Sequence, residues 1–431
     1  MRAAPMLALV ATMSACAEPV APQTGGDEPR YLDFVLPLAG LFESTGDGAG
    51  DSEQIHALID AEVSALIAKI GAHEDGMKGR LGFHYTIPIW AVDGRFPGKA
   101  VNVIEQSFAV ARARDIAVHV SLETHYFWNT RPDLFNYFDP ESPGYDPGNT
   151  ANVEWSDWGG TPSRARYVNH GVPVELAPHM CYLAATIQSE VSRLAGIVGA
   201  ALRTELAALA DTGQSDLFSG LTVTSEPSLD NYTNIDAIDP PLGQLMQSNS
   251  SPKVRFGYCS FTAAGYSAAN PPADLATAAA QVNQQWVQSW ANAIADSGIA
   301  VDRLYTHTAA AAGAPTDHHF DLLNAPIDTA FVEQSRPGWT TYPMGSLEES
   351  FDVLYEHLAE RGYPPWGGTE GAPFDGRGTT SVSEYLSRHY DHGAMVVVLN
   401  DGATGELASQ LRGAIYSPEA IDAYRQFLDD L

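Results

Sequence analysis

From residue 31 to the C-terminus the chain alternates short apolar runs with amphipathic stretches, and this alternation restricts the fold more than any other feature. Candidate strands lie at 31–38, 82–89, 117–122, 221–225, 254–261, 303–308, 330–332, 365–369 and 395–400. Helical periodicity fills most of the gaps. Residues 52–70 place Ile55, Leu58, Ile59, Val63, Leu66 and Ile70 on one face, with Gly71 as the stop. Residues 182–209 and 273–294 repeat the pattern. Ser346 with Glu349 and Ser381 with Glu384 read as capping boxes, and Ser417-Pro418 opens a last helix. Strands that alternate with helices are parallel and joined by right-handed crossovers. About eight repeats favour a closed (β/α)8 TIM barrel over an open sheet. No Gly-rich phosphate loop follows any strand, so the usual reason for an open nucleotide-binding sheet is missing. The candidates number nine where the barrel needs eight, and 330–332 is the weakest.

The loop after the third strand, 125–178, is long and aperiodic. It is dense in aromatic residues, among them Trp128, Phe135, Tyr145, Trp155 and Trp158. In a barrel it belongs over the C-terminal face, where active sites are built. Aromatic residues in such number argue for an ordered insertion.

Asp and Glu number 53 against 23 Lys and Arg, a net charge of −30. Nucleic acid and anionic membrane surfaces would be repelled by such a chain. The N-terminus reads as a targeting segment. Arg2 precedes a short apolar run, residues 6–13, too short to span a bilayer. Met13-Ser14-Ala15-Cys16 resembles the lipobox of bacterial lipoproteins, which implies acylation of Cys16; an ordinary secretory signal cut near Ala15 or Ala17 is the alternative. Residues 1–16 are thus a signal, 17–30 a flexible Pro/Gly-rich tether and 31–431 the barrel. The expected location is the cell envelope or the exterior, with membrane contact only through the lipid. The two remaining cysteines, Cys181 and Cys259, are either a disulfide or two buried thiols.

Two glutamates sit at the ends of buried runs. Glu226 ends Leu-Thr-Val-Thr-Ser-Glu-Pro, and Glu370 ends Trp-Gly-Gly-Thr-Glu-Gly. Two carboxylates facing each other across a barrel mouth are what glycosidic hydrolysis needs: one acid to protonate the leaving oxygen, and one carboxylate to attack the anomeric carbon or activate water. Glu333, in Phe-Val-Glu-Gln, competes with Glu370 if 330–332 is the seventh strand. The adjacent His318 and His319 point in different directions and no HExxH spacing occurs, so no metal and no cofactor are expected. The chain has no GxSxG elbow for a serine hydrolase.

On these residues the chain resembles the large clan of retaining glycoside hydrolases with (β/α)8 barrels. There the acid/base glutamate ends the fourth strand, typically in Asn-Glu-Pro, and the nucleophile ends the seventh. Here the positions read Ser225-Glu226-Pro227 and Thr369-Glu370-Gly371. The resemblance implies that Glu226 is acid/base, that Glu370 is nucleophile and that the two carboxyls lie about 5–5.5 Å apart. The clan's Asn is Ser225 here, which alters the contact to the sugar 2-hydroxyl. Residues placed to line such a site are His84, Tyr85, Trp90, Glu123, His125, Trp128, Ser225, Asp230, Asn231, Tyr232, Tyr258, Tyr305, His307, Asn400 and Asp401. Sugar sites combine aromatic platforms with polar side chains, and the expected substrate is an oligo- or polysaccharide. The competing expectation is a carbohydrate-binding lipoprotein on the same scaffold, with one of the two carboxylates paired to an Arg or turned away.

Overall fold

The computed structural model describes residues 28–36, 42, 52–74, 76–92, 98–164, 166–169, 173–227, 229, 256–308, 325–342, 347–373, 381–400 and 412–430. The signal segment, nearly all of the tether, Cys16, Asp230, Asn231, Tyr232 and Asp401 lie outside them.

Eight parallel strands form one sheet: β1 (Arg30–Val35), β2 (Gly79–Pro88), β3 (Ala117–Glu123), β6 (Phe218–Thr222), β7 (Leu304–Tyr305), β8 (Gly338–Thr340), β9 (Trp366–Gly371) and β10 (Ala394–Leu399). The order β7-β6-β3-β2-β1-β10-β9-β8 brings the outer strands round to each other. Parallel bridges Tyr305 to Arg336 and Thr308 to Trp339 join them, so the expected TIM barrel is what the chain forms. The remaining two strands, β4 (Arg166–Asn169) and β5 (Pro173–Leu176), pair antiparallel within the excursion after β3.

The strands are apolar along their length because both faces are buried. Leu32 and Phe34 of β1 pack in the main core, whereas Tyr31 joins Tyr305, Val396 and Val398 in a separate inner cluster. Asp33 alternates with Leu32 and Phe34 and is fully buried among the strands.

The helices of six residues or more are α1 (Ser52–Ile70), α2 (Lys99–Arg114), α3 (Ala185–Asp211), α4 (Tyr258–Ala263), α5 (Leu275–Asp296), α6 (Leu347–Glu360), α7 (Val382–Tyr390) and α8 (Pro418–Asp430). Helix α1 buries Ile55, Ile59, Val63, Leu66 and Ile70, but Leu58 is exposed on its outer flank. The Ser381 hydroxyl accepts the Glu384 N–H as its capping box requires, and Ser417 caps α8 through the Ala420 N–H.

Two strand expectations fail. The run 254–261 is not the fifth strand: from Tyr258 it is helix α4, entered through Gly257 at φ +116°. A Cβ at Gly257 would lie 2.7 Å from the Phe261 ring, so glycine there lets the chain turn tightly into the helix. Phe256, Cys259 and Phe261 are buried as a strand's residues would be, which is why composition alone could not separate the two. The segment 330–332 follows a 3-10 turn (Ile327–Ala330) and forms no strand. Residues 304–305 therefore supply the fifth barrel strand, not the sixth. Gly338–Thr340, which shows no alternation, supplies the sixth. Trp366–Gly371 is then the seventh.

The excursion between β3 and α3 is cross-tied to α4. Cys181 and Cys259 form a disulfide with Cα atoms 5.7 Å apart. Fully buried Glu154 accepts the Cys259 and Ser260 N–H groups and the Ser260 hydroxyl at the start of α4. Burial raises its pKa to about 7.

Candidate active site

Glu226 follows β6 and Glu370 lies near the end of β9. Both converge on one imidazole. His307, two residues beyond β7, has Nε2 3.7 Å from Glu226 Oε1 and 3.7 Å from Glu370 Oε2. The nearest oxygens of the two carboxylates are therefore no more than twice 3.7 Å apart.

The two carboxylates sit in different surroundings. The Thr340 hydroxyl donates to Glu226 Oε1 at 2.6 Å. Burial pushes the Glu226 carboxyl up from the ordinary value. The charges of Glu370 and Glu123 add to that rise, while His307 and the Thr340 hydrogen bond oppose it. Glu370 is more open to solvent, and its Oε1 accepts from both Tyr342 Oη at 3.1 Å and Asn400 Nδ2 at 3.0 Å. Burial, with Glu370 as the next cause, raises the Tyr342 phenol, so its proton stays available to donate. The β9 backbone is fixed beside the site by the Thr341 N–H, which donates to the Glu370 carbonyl at 2.7 Å.

A third carboxylate stands behind Glu226. Glu123 Oε1 accepts from the Ser225 hydroxyl at 3.0 Å and the His125 N–H at 2.6 Å. Ser225 Oγ also lies 3.2 Å from His125 Nδ1 and accepts the Thr124 N–H at 3.0 Å. His125 Nε2 meets the Tyr182 hydroxyl. Ser225, the residue before Glu226, is thus tied to the end of β3. Below this layer, His84 Nε2 lies 2.6 Å from Ser121 Oγ, and His84 Nδ1 is buried without a partner. Burial, with the neighbouring His119 and His307, holds His84 well below its usual pKa.

Of the residues expected to line the site, the structure brings Glu226, Glu370, His307, Glu123, Ser225, His125 and Asn400 into these linked contacts. Others serve different ends. Trp90 is fully buried, donates Nε1–H to the Thr124 carbonyl at 2.7 Å and packs edge-on against Trp128 and Trp290. Trp128 is likewise core, its Nε1–H bound to the Pro178 carbonyl. Both are roots of the insertion, not platforms for a ligand. Tyr258 sits on α4 with its ring edge-on to Trp158. Tyr305 is buried in the inner cluster, its hydroxyl accepting from Arg336, which in turn pairs with Glu28. Glu333 is exposed, and its backbone is held on both sides by Gln288 of α5. With no strand at 330–332, its claim against Glu370 lapses. Thr340, Tyr342 and Thr369 escaped sequence reasoning. The first lies on the unrecognised β8 and the second just beyond it. Thr369, on β9, is marked only by adjacency to Glu370. Among the described residues no group of three or more His, Cys, Asp or Glu is arranged to hold a metal ion.

No family model and no curated protein matches the chain. Solved structures similar to it include the catalytic domain of β-amylase from Paenibacillus polymyxa, with TM-score 0.48, 10% identity, and coverage of 94% of this chain and 99% of that one. An endo-1,4-β-mannanase from Eisenia fetida gives 0.39 and 11%, covering 95% and 88%. A broad-specificity endoglucanase from Ruminococcus champanellensis, solved with bound cellotriose, gives 0.36 and 10%, covering 89% and 97%. Likenesses this low bear on neither the activity nor the substrate of this chain.

Proposed function

We propose that the protein is a glycoside hydrolase that cleaves a β-linked glycan with retention, Glu226 acting as acid/base and Glu370 as nucleophile. The observation that carries this reading is the pair itself: two carboxylates face one imidazole, one desolvated and inclined to hold a proton, the other more open to solvent and taking hydrogen bonds from Tyr342 and Asn400. In the first step Glu370 Oε2 attacks the anomeric carbon, the glycosidic C–O bond breaks and Glu226 gives its proton to the leaving oxygen. In the second, Glu226 takes a proton from water as the water oxygen displaces Glu370. The short span allowed by His307 accommodates the separation of about 5–5.5 Å that direct attack needs.

A binding protein that had lost catalysis would show one carboxylate neutralised by Arg. Among the described residues both turn to His307 and to uncharged donors instead. Export and lipid attachment at Cys16 belong to the same proposal, since polymeric glycans are met outside the cell. Palmitate incorporation that disappears in Cys16→Ser tests that part.

The deciding experiment is hydrolysis of a panel of aryl β-glycosides and plant, algal and fungal polysaccharides by the protein, Glu226→Gln and Glu370→Gln. The expected result is cleavage of one sugar class, with losses of roughly 10²–10⁴ in Glu226→Gln and at least as large in Glu370→Gln. Azide should rescue Glu226→Gln and yield a β-glycosyl azide. Binding of a glycan without cleavage, and without effect of either substitution, overturns the reading.

A further inference from the structure

The hydrogen bonds around His307 have a direction. Its Nδ1 lies 2.8 Å from Thr369 Oγ1, and Thr369 also reaches the Trp339 carbonyl at 3.4 Å. The Trp339 carbonyl only accepts, so a Thr369 hydroxyl turned to it leaves its oxygen to accept Nδ1–H from His307. At the other nitrogen, Thr340 has spent its hydrogen on Glu226 and presents only lone pairs, 3.4 Å from Nε2. Glu226 Oε1 and Glu370 Oε2 present lone pairs as well. A bare Nε2 would add a fourth lone pair to three; a protonated Nε2 is attracted by all of them.

We propose that His307 is a positioning residue held with a proton on each ring nitrogen, and that its fixed positive charge keeps the two-carboxylate cluster electrically neutral in both steps of the reaction. This rests on the two-step reading given above. Before attack, protonated Glu226, the imidazolium and charged Glu370 sum to zero. After attack, Glu370 is a neutral ester, Glu226 has lost its proton to the leaving oxygen, and the imidazolium now balances Glu226. The negative charge has moved from one side of His307 to the other, and His307 has given up nothing. In a buried site, charge that stays balanced needs no solvent reorganisation as the reaction proceeds. Other charged or titratable groups face the cluster from three sides. Glu123 at the end of β3 reinforces the need for a cation, and Tyr342 is kept neutral by burial. His84 on β2 is likewise kept neutral by burial, so it does not compete for the positive charge.

The test is ¹⁵N NMR of ring-labelled histidine in the full chain, with the His307 signals assigned by their loss in His307→Gln. At pH 7 both His307 nitrogens should show imidazolium shifts in the wild type. The double variant Glu226→Gln, Glu370→Gln should show one protonated and one bare nitrogen. Trapping the glycosyl-enzyme with a 2-fluoro glycoside should leave the imidazolium in place. In kinetics, His307→Gln should lower kcat by about 10²-fold with KM little changed. A neutral His307 at pH 7 in the wild type, or an imidazolium indifferent to removal of both carboxylates, overturns the proposal and leaves the glycosidase reading standing. An imidazolium that depends on the carboxylates in a protein that cleaves nothing would instead keep the charged cluster, overturn its role across two steps and sink the glycosidase reading.

Discussion

Thr340 donates a 2.6 Å hydrogen bond to Glu226, linking the sixth barrel strand to the residue that follows the fourth. The bond favours the ionised carboxylate and so opposes the rise that burial imposes. Thr340→Val removes the donor without removing bulk, and Glu226 then holds its proton to higher pH. The basic limb of the kcat/KM profile, measured with an activated aryl glycoside, should move up by about one pH unit. Thr340→Ser should keep the wild-type limb. An unmoved limb in Thr340→Val would show that Glu226 is not the group the profile reports.

Gly338 opens β8 where the barrel closes. A Cβ there would lie 2.3 Å from the Thr306 carbonyl oxygen and 2.8 Å from Thr369 Cγ2. The first is backbone and cannot yield without moving β7; the second belongs to the side chain that orients His307. Gly338→Ala should cost about 1–3 kcal/mol in urea unfolding and lower activity beyond what the lost stability explains. Gly413→Ala is the control: it meets nothing within 4 Å in a helical stretch and should be neutral or stabilise by about 0.5–1 kcal/mol. Equal behaviour of the two variants would contradict the close approach at the closure.

The barrel and its two glutamates are legible in the sequence because they come from long runs buried on both faces. Residues 82–89 and 117–122 could hardly be anything but central strands, and Glu226 and Glu370 stand where such runs end. The strands of two and three residues at 304–305 and 338–340 are too short to carry a period, so the sequence holds no mark of the sixth, nor of Thr340 and Tyr342 with it. Trp90 and Trp128 read as ligand platforms in the sequence because an aromatic residue near a strand tip has the same signature whether it stacks on a ligand or roots a loop. The ring hydrogen bonds to the Thr124 and Pro178 carbonyls, which decide the matter, involve backbone that no pattern reveals. Asp33 and His119 were readable in principle. Each is an acidic or basic residue in the middle of a largely apolar run, and on a parallel barrel strand that places it facing a wall with no water.

The Cys181–Cys259 disulfide, 78 residues apart in sequence, fastens the insertion to α4 beside buried Glu154. Closing a loop of that length in the unfolded chain stabilises the fold by about 4 kcal/mol. Chemical unfolding with and without reductant should differ by roughly that amount in the wild type and not at all in the Cys181→Ala, Cys259→Ala double variant. Two titratable thiols in the oxidised native protein would refute the bond.

Asp33 and His119 face each other inside the barrel, Oδ2 to Nδ1 at 3.3 Å, with Ser219 donating to Asp33 at 2.7 Å and Thr222 at 2.8 Å from His119 Nε2. Asp33 Oδ1 has no partner. Burial raises the Asp33 carboxyl from 3.8 to about 8 and lowers His119 from 6.5 to about 3. The folded state thus holds both groups uncharged, and the signs of their linkage differ. Asp33 contributes stability that is lost as pH rises from about 4 to 8, because the unfolded chain releases its proton first. His119 contributes stability that is lost as pH falls from about 6.5 to 3, because the unfolded chain takes a proton first. Between about pH 4 and 6.5 the two slopes cancel, so the net loss from the pair falls between about 6.5 and 8. Asp33→Asn keeps the shape and the neutral state but cannot ionise. Its unfolding free energy relative to wild type should therefore rise steadily from pH 4 to 8, by on the order of a few kcal/mol in total, and level off above. Urea midpoints at half-unit steps across that range measure the difference. A flat difference would mean that Asp33 is ionised in the folded barrel, and that the Asp33–His119 contact is an ion pair instead of a neutral hydrogen-bonded one.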